Sequence, residues 1–245
     1  MSKIVEIKDV TISYRENIAL RNITLSIEEG TLLAIIGPNG AGKTTLLTAI
    51  NGLGNILSGS VRVFGENITP GLRKGIGYVP QSVAIDPRAP ISVRDVVMIG
   101  RLSKVGLFHR ANHRDEELVE SAMELVGIRE LARRPIGHLS YGEQQKVAIA
   151  RALAQQPRIM LLDEPTSNLD LKAQREIIDL IDSIYMKKQL TIVVVTHILN
   201  HIPPSCKRVL MMKKGRIIWF GAMEEALNND LLSGLYGCPI ETVRR

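Results

Sequence analysis

The stretch Thr31-Leu32-Leu33-Ala34-Ile35-Ile36-Gly37-Pro38-Asn39-Gly40-Ala41-Gly42-Lys43-Thr44-Thr45 decides how the chain folds. Thr31–Ile36 is an unbroken apolar run, as expected for a central parallel strand buried on both faces. Gly37–Gly42 is a glycine-rich turn, and the residues from Lys43 to Asn51 suit a helix that Gly52 can end. The turn satisfies GxxxxGK[ST] at every position and lies between strand and helix, the context that the motif requires. Glycines let the backbone wrap a phosphate with its N–H groups inward, at the positive end of a helix dipole. Lys43 adds a point charge, the Thr44 hydroxyl can ligate Mg²⁺, and Thr45 can reach a further phosphate. Upstream, Ile23, Leu25 and Ile27 alternate with Thr24, Ser26 and Glu28, so a half-buried antiparallel strand is expected. Val61 and Val63 are expected to begin an edge segment.

A second apolar strand, Ile159–Leu162, ends in Asp163-Glu164. It delivers two carboxylates to the C-terminal end of a strand, where α/β sheets bind ligands. Asp163 suits Mg²⁺ held through water, and Glu164 suits polarisation of an attacking water. Two acids opening a loop mean little alone; beside the glycine turn they gain weight. Thr191–Thr196 is a third run, separated from the second by a helical stretch of about residues 171–187. Strand–helix–strand alternation at this spacing means a parallel α/β sheet. The middle third differs. Ser92-Val93-Arg94-Asp95 is a capping box ahead of Val96-Val97-Met98-Ile99, so a helix is expected to start there. Leu118, Ala122, Leu125 and Val126 keep helical spacing up to Gly127, and an amphipathic helix is expected over Lys146–Ala154. The whole reads as one unit with a helical insert from about residue 92 to 155.

The chain has 245 residues, 45% hydrophobic and 23% charged, which suits a folded chain and excludes a disordered one. A net charge of +6 and a pI near 9.4 admit polyanionic partners, but the charges are scattered without long runs. Cys206 and Cys238 lack metal-site spacing and are expected as free thiols. The N-terminal residues lack an apolar signal region, and no run approaches the roughly 20 apolar residues of a membrane span. His109 and His113 stand i, i+4 in a strongly basic segment, so a solvated face is expected there.

Leu139-Ser140-Tyr141-Gly142-Glu143-Gln144-Gln145 makes the resemblance specific. Over essentially its whole length the chain resembles the ATP-binding cassette (ABC) ATPases. The resemblance implies a P-loop NTPase (RecA-like) α/β core with an antiparallel β subdomain and an inserted α-helical subdomain. Residues 1–85 and 156–245 would form the β subdomain and core, and about 86–155 the helical subdomain. It implies ATP and Mg²⁺ as ligands. Gly37, Pro38, Asn39, Gly40, Ala41, Gly42, Lys43, Thr44 and Thr45 would bind the nucleotide, with Thr44, Gln81 and Asp163 around the metal. Glu164, Gln81 and His197 would serve hydrolysis. Tyr14 resembles the aromatic that stacks on adenine. Gln81, in Tyr78-Val79-Pro80-Gln81, resembles the glutamine that couples to a membrane partner. Ser167–Asp170 resembles the loop that crosses a dimer interface, and His197 the switch histidine at the γ-phosphate. Ser140, Gly142 and Glu143 would meet the nucleotide of an opposite subunit.

Two positions depart from the family pattern. Tyr141 and Glu143 stand where Gly and Gln are usual, and a tyrosine would be strained wherever φ must be positive. Ile198 follows His197, where aspartate is frequent. The residues leave three readings open: an importer ATPase, an exporter ATPase, or a soluble ABC ATPase without a transporter. Ile91–Arg101 and Gly106–Arg110 resemble the zinc and manganese importers. The Ser167–Asp170 loop and Leu235-Tyr236-Gly237-Cys238-Pro239 resemble the iron-chelate and cobalamin importers, and the Leu139–Gln144 variant with Ile202-Pro203-Pro204 resembles some molybdate-type ATPases. The expected partners are permease subunits, a second copy of the chain and an extracytoplasmic binding protein, with no nucleic acid. The expected location is the cytoplasmic face of a membrane. Pro87, Pro90, Leu102, Val105, Leu107 and Phe108 are expected to surround a docking groove for the permease.

Overall fold

The computed structural model describes residues 2–14, 17–69, 71–81, 90–106 and 110–240. Two sheets carry the chain. The first is antiparallel, built from β1 (Lys3–Tyr14), β2 (Asn17–Glu28), β4 (Ile56–Val63) and β5 (Glu66–Asn67) in the order β2-β1-β4-β5. The second contains β3 (Leu32–Ile36), β6 (Ile76–Val79), β7 (Ile159–Asp163), β8 (Thr191–Thr196), β9 (Arg208–Lys213) and β10 (Arg216–Ala222). Its order is β10-β9-β3-β8-β7-β6, parallel except for the β9–β10 hairpin. The helices are α1 (Lys43–Ile50), α2 (Val93–Ile99), α3 (Leu102–Val105), α4 (His113–Leu125), α5 (Tyr141–Ala154), α6 (Leu171–Lys188), α7 (Met223–Ala226) and α8 (Asn229–Tyr236).

The unbroken apolar runs follow from the position of the parallel sheet between two cores. Successive side chains of a strand point to opposite faces. Leu32, Ala34 and Ile36 of β3 join Met160, Leu162, Ile192 and Val194 on the helical face, against Val97, Val119, Val147 and Ile177. Leu33 and Ile35 join Ile159, Leu161, Val193 and Val195 on the other face, against Ile7 and Ile23 of the antiparallel sheet and Leu46 and Leu47 of α1. Each fully buried Leu or Ile contributes about 1.5–3 kcal/mol, so neither face tolerates a polar substitution. Among the described residues no helix is long and apolar enough to cross a membrane.

Register sets the site. Ile36 pairs with Thr196, Asp163 with Val195, and Val79 with Leu162. The strands β3, β6, β7 and β8 therefore end at one edge of the sheet. Gly37, Gln81, Glu164 and His197 leave the sheet together there.

Two expectations about the elements are corrected. Val61 and Val63 end β4 rather than begin a strand. They pair with β1 on one side and reach the two-residue β5 through Arg62 and Val63 on the other. Ile56–Ser60 is largely exposed, so apolar alternation marks only the end of that strand. Helix α5 begins at Tyr141, not Lys146. Ser140 is its N-cap, and a reciprocal Ser140–Glu143 capping box closes its first turn. Tyr141 therefore has helical backbone and carries no positive-φ strain. Of the groove residues, Leu102 is exposed and Val105 partly so. Pro87, Leu107, Phe108 and also His109 lie outside the described residues.

Candidate functional site

A cavity of about 1090 Å³ opens at the edge where the four strands end. Residues Asn39 to Thr45 form its floor, and Gln81, Glu164, Ser167, Asn168 and His197 line its mouth. Gly37 and Gly42 make the floor possible. At Gly37 (φ 155°) a Cβ would stand 2.2 Å from the Met212 carbonyl oxygen. At Gly42 (φ 97°) it would stand 2.8 Å from Leu20. Close packing on β9 and β2 thus fixes the glycines, along with the left-handed backbone that only glycine adopts freely. Gly42 is the N-cap of α1 and offers no capping side chain, so the first N–H groups of the helix point toward the cavity without a side-chain acceptor.

Lys43 is buried. Its Nζ donates to the carbonyl oxygens of Gly37 (2.8 Å) and Pro38 (3.1 Å) and lies 3.9 Å from Glu164 Oε1. Burial holds its pKa below the ordinary ammonium value, opposed by the charges of Glu164 and Asp163. Asp163, at the end of β7, is also buried, and burial pushes its carboxyl up. The Thr44 hydroxyl, donating to Asp163 Oδ1 at 3.2 Å, opposes that shift, and the Glu164 charge adds to it. Burial first, and the Asp163 charge second, push the Tyr78 phenol up to about 12.

Glu164 turns sharply out of β7 with φ 45°, a left-handed conformation unusual for a glutamate. The turn is held by Glu164 N–H donating to the Val195 carbonyl (3.0 Å) and Ser167 N–H donating to the Glu164 carbonyl (3.0 Å). It brings the carboxylate back over the glycine turn. There Gln81 Nε2 donates to Glu164 Oε2 at 3.0 Å, and His197 Nδ1 lies 3.2 Å from the same oxygen. Four segments that follow strand ends thus meet at one carboxylate: a cation from the start of α1 after β3, an amide after β6, the acid itself after β7 and an imidazole after β8. A cluster of this kind can hold a polyanion on backbone N–H groups and place a base beside its far end.

The other expected residues fall elsewhere. Tyr14 is half exposed and does not line the cavity. It sits at the tip of the β1–β2 hairpin, while Ile18, Ala19 and Arg21 of β2 line the wall instead. Ser140, Gly142 and Glu143 are absent from the lining. Glu143 Oε2 accepts from the Ser140 N–H (2.8 Å) and hydroxyl (2.8 Å), so both side chains serve the cap of α5. Asp170 caps α6, its Oδ1 accepting from Ala173 N–H at 2.8 Å. Among the described residues no group of three or more His, Cys, Asp or Glu side chains is placed to hold a metal ion by itself.

Several lining residues carry no local signal. Lys214, Gly215 and Arg216 come from the turn of the β9–β10 hairpin, and His201 from the turn after β8. Gly215 N–H donates to the Ala41 carbonyl (3.0 Å) and Arg21 N–H to the Gly215 carbonyl (2.9 Å), which docks the hairpin behind the glycine turn. His201 Nδ1 hydrogen-bonds the Thr166 hydroxyl at 2.8 Å; burial, then the charge of His197, hold its pKa down.

Comparison with known proteins gives this cavity its context. The ABC transporter family model matches residues 20–167. The chain is 37% identical to the manganese transport system ATP-binding protein of Halalkalibacterium halodurans, over 96% of this chain and 93% of that protein. It is also 37% identical to the zinc transport system ATP-binding protein of Treponema pallidum, over 97% of this chain and 88% of that one. Its fold superposes on a putative metal-chelate type ABC transporter in an inward-facing conformation with a TM-score of 0.86 and 28% identity, covering 98% of this chain and 90% of that one. The glycine turn, the paired acids of β7 and this likeness along nearly the full length agree, and the chain belongs to the ABC transporter family, as an ATP-binding and ATP-hydrolysing subunit.

Proposed function

We propose that this subunit hydrolyses Mg·ATP between two copies of itself on the cytoplasmic face of a permease, and so drives uptake of a divalent transition-metal ion such as manganese or zinc. The observation that carries the hydrolytic part is the convergence of Lys43, Gln81 and His197 on Glu164 at the mouth of the P-loop cavity. The names of the relatives at 37% identity support the cargo. The metal-chelate name of the structural neighbour keeps a chelate as the second candidate. An extracytoplasmic binding protein would deliver the cargo. We further assign residues 1–85 and 156–245 to a β subdomain and nucleotide core, and about 86–155 to a helical subdomain that meets the permease.

In this reading the N–H groups from Asn39 to Thr45 cradle the phosphates. Lys43 exchanges its two carbonyl partners for phosphate oxygens, which need its charge more. Thr44 and Asp163 hold two hard oxygen atoms side by side, and Gln81, which lines the same cavity, would add a third. That donor set suits Mg²⁺, which takes one or two carboxylates and completes its shell with phosphate and water. Bound there, Mg²⁺ would neutralise phosphate charge during the transfer. Glu164 accepts the proton of the attacking water. Gln81 and His197 orient it and sense the γ-phosphate, and Tyr14 contacts the base. Ser140, Gly142 and Glu143 complete the site from the second copy.

The variant Glu164→Gln, expressed with its permease, tests the whole reading. It should bind ATP normally, lose about 10² or more in turnover and accumulate as an ATP-bound dimer. Cellular accumulation of manganese and zinc through the system should stop with it. Hydrolysis within a few-fold of wild type would remove Glu164 from the role. Unchanged metal accumulation would remove the cargo.

A further inference from the structure

We propose that Tyr236, the last residue of α8, is a positioning residue that fixes the His197 loop for hydrolysis; the inference rests on the role of His197 given above. The Tyr236 hydroxyl donates to the His197 backbone carbonyl at 3.1 Å, across 39 residues of sequence. Its ring packs on the helical-face core.

Helix α8 is well anchored without this contact. Asn228 caps it, accepting from Asp230 N–H (2.9 Å) and Leu231 N–H (3.2 Å). Leu232 and Leu235 are fully buried, and Gly237 closes the helix in the left-handed region. Ser233 Oγ accepts from Ile240 N–H at 2.9 Å, which folds the following segment back onto the helix. Lys213 Nζ donates to the Gly234 carbonyl. One helix therefore grips two walls of the cavity: the loop after β8, through Tyr236, and the hairpin bearing Lys214, Gly215 and Arg216, through Lys213.

The His197 loop needs such a grip. His197 is exposed and follows the last residue of a fully buried strand. Its neighbours are bracketed within the loop by Thr196, whose Oγ1 accepts from Ile198 N–H (3.1 Å) and donates to the Ile198 carbonyl (3.2 Å). Tyr236 holds the His197 carbonyl, the other end of the peptide group whose N–H Thr196 accepts, and it does so through the backbone. The imidazole stays free to exchange Glu164 for another acceptor while its pivot is fixed. Positioning of this kind acts on the chemical step more than on nucleotide affinity.

The experiment compares Tyr236→Phe, His197→Ala and the double variant in steady-state ATP hydrolysis, with melting temperatures alongside. Tyr236→Phe keeps the ring and removes one hydrogen bond. It should lower kcat about three- to ten-fold, the factor that one such bond is worth. KM for ATP should stay within about two-fold and the melting temperature within about 2 °C. On the His197→Ala background the same change should have no further effect, because both act through one loop. If His197→Ala lowers kcat while Tyr236→Phe does not, the inference is overturned and the role of His197 stands. The inference also falls if the two losses multiply, or if Tyr236→Phe raises KM and melts early, which would mark a plain packing role. An unchanged kcat in His197→Ala would overturn both.

Discussion

At the edge of the parallel sheet, Lys43, Thr44, Asp163 and Glu164 are bonded to one another and to the backbone beside them. At the start of α5, Ser140, Gly142 and Glu143 have no such company: Ser140 is exposed, and the polar groups satisfy only their own helix cap. The first region orients its charges before any ligand arrives. The second is a helix N-terminus, capped and presented outward, outside the cavity. Both have the donors an anion needs, but only the first has a pocket. The difference supports a site divided between two copies, in which the second region works on a nucleotide it does not bind alone.

Lys43→Ala and Ser140→Ala break this comparison most strongly. Each should lower turnover by about 10² or more, the usual cost of removing one preorganised donor from a transition state. Their binding should differ. Lys43→Ala should lose ATP affinity in the isolated monomer. Ser140→Ala should keep it and lose only ATP-driven dimerisation, as equilibrium binding and sedimentation would report. Ser140→Ala also removes a cap worth about 1 kcal/mol, so Ser140→Asn, which retains a capping acceptor, controls for stability. Equal loss of monomer affinity in both variants would place the two regions in one site and end the comparison.

The same contrast explains what the sequence made legible. The glycine turn was readable because its spacing and its flanking strand and helix are all local, and each residue type there has one physical use. The acids of β7 were readable for the same reason. The start of α5 was misplaced although Ser140 and Glu143 stand at capping-box spacing, because the apolar periodicity becomes plain only from Val147. The wall of Ile18, Ala19, Arg21, Lys214 and Arg216 was invisible. It reaches the cavity through backbone bonds between Ala41, Gly215 and Arg21, and no local pattern marks residues 174 to 194 positions apart as neighbours. The left-handed backbone of Glu164 was equally hidden, since glutamate has no preference for it.

Preorganisation has a cost that can be measured. Burial raises the Asp163 pKa, so the folded protein holds that proton more tightly than the unfolded chain. As pH rises from the ordinary aspartate range through the raised value, the buried carboxylate ionises and stability falls. Asp163→Asn keeps an acceptor for the Thr44 hydroxyl and removes the buried charge. Without nucleotide it should therefore melt higher than wild type at neutral pH, by about 2–4 °C, the shift that roughly 1 kcal/mol gives in a chain of this length. The difference should vanish at a pH below the ordinary aspartate value, while Mg²⁺-dependent hydrolysis is lost. A lower melting temperature at neutral pH would show that the attraction of Lys43 outweighs desolvation, and that the region is stabilised by its charges.

The smallest effect belongs to Tyr141. It occupies the first helical position of α5, where its backbone is unstrained and its side chain 73% exposed. The start of α6 lies alongside: a Cβ on Gly142 would come within 3.1 Å of the Ala173 Cβ, Lys146 pairs with Glu176 at 2.7 Å, and Leu171 is 84% exposed. Two large apolar side chains thus stand at neighbouring helix starts on the face that the divided site would turn toward the second copy. Replacing Tyr141 with the glycine usual in the family relieves no strain, because there is none to relieve. It removes a ring that ordering at an interface could bury, and it adds backbone freedom worth up to about 1 kcal/mol at a helix position. Tyr141→Gly should leave ATP affinity of the monomer unchanged, lower the melting temperature by no more than about 2–4 °C, and weaken ATP-driven dimerisation a few-fold. A tighter dimer in sedimentation would mean that the ring obstructs the second copy, and the outward-facing region would then be held back by its own side chain.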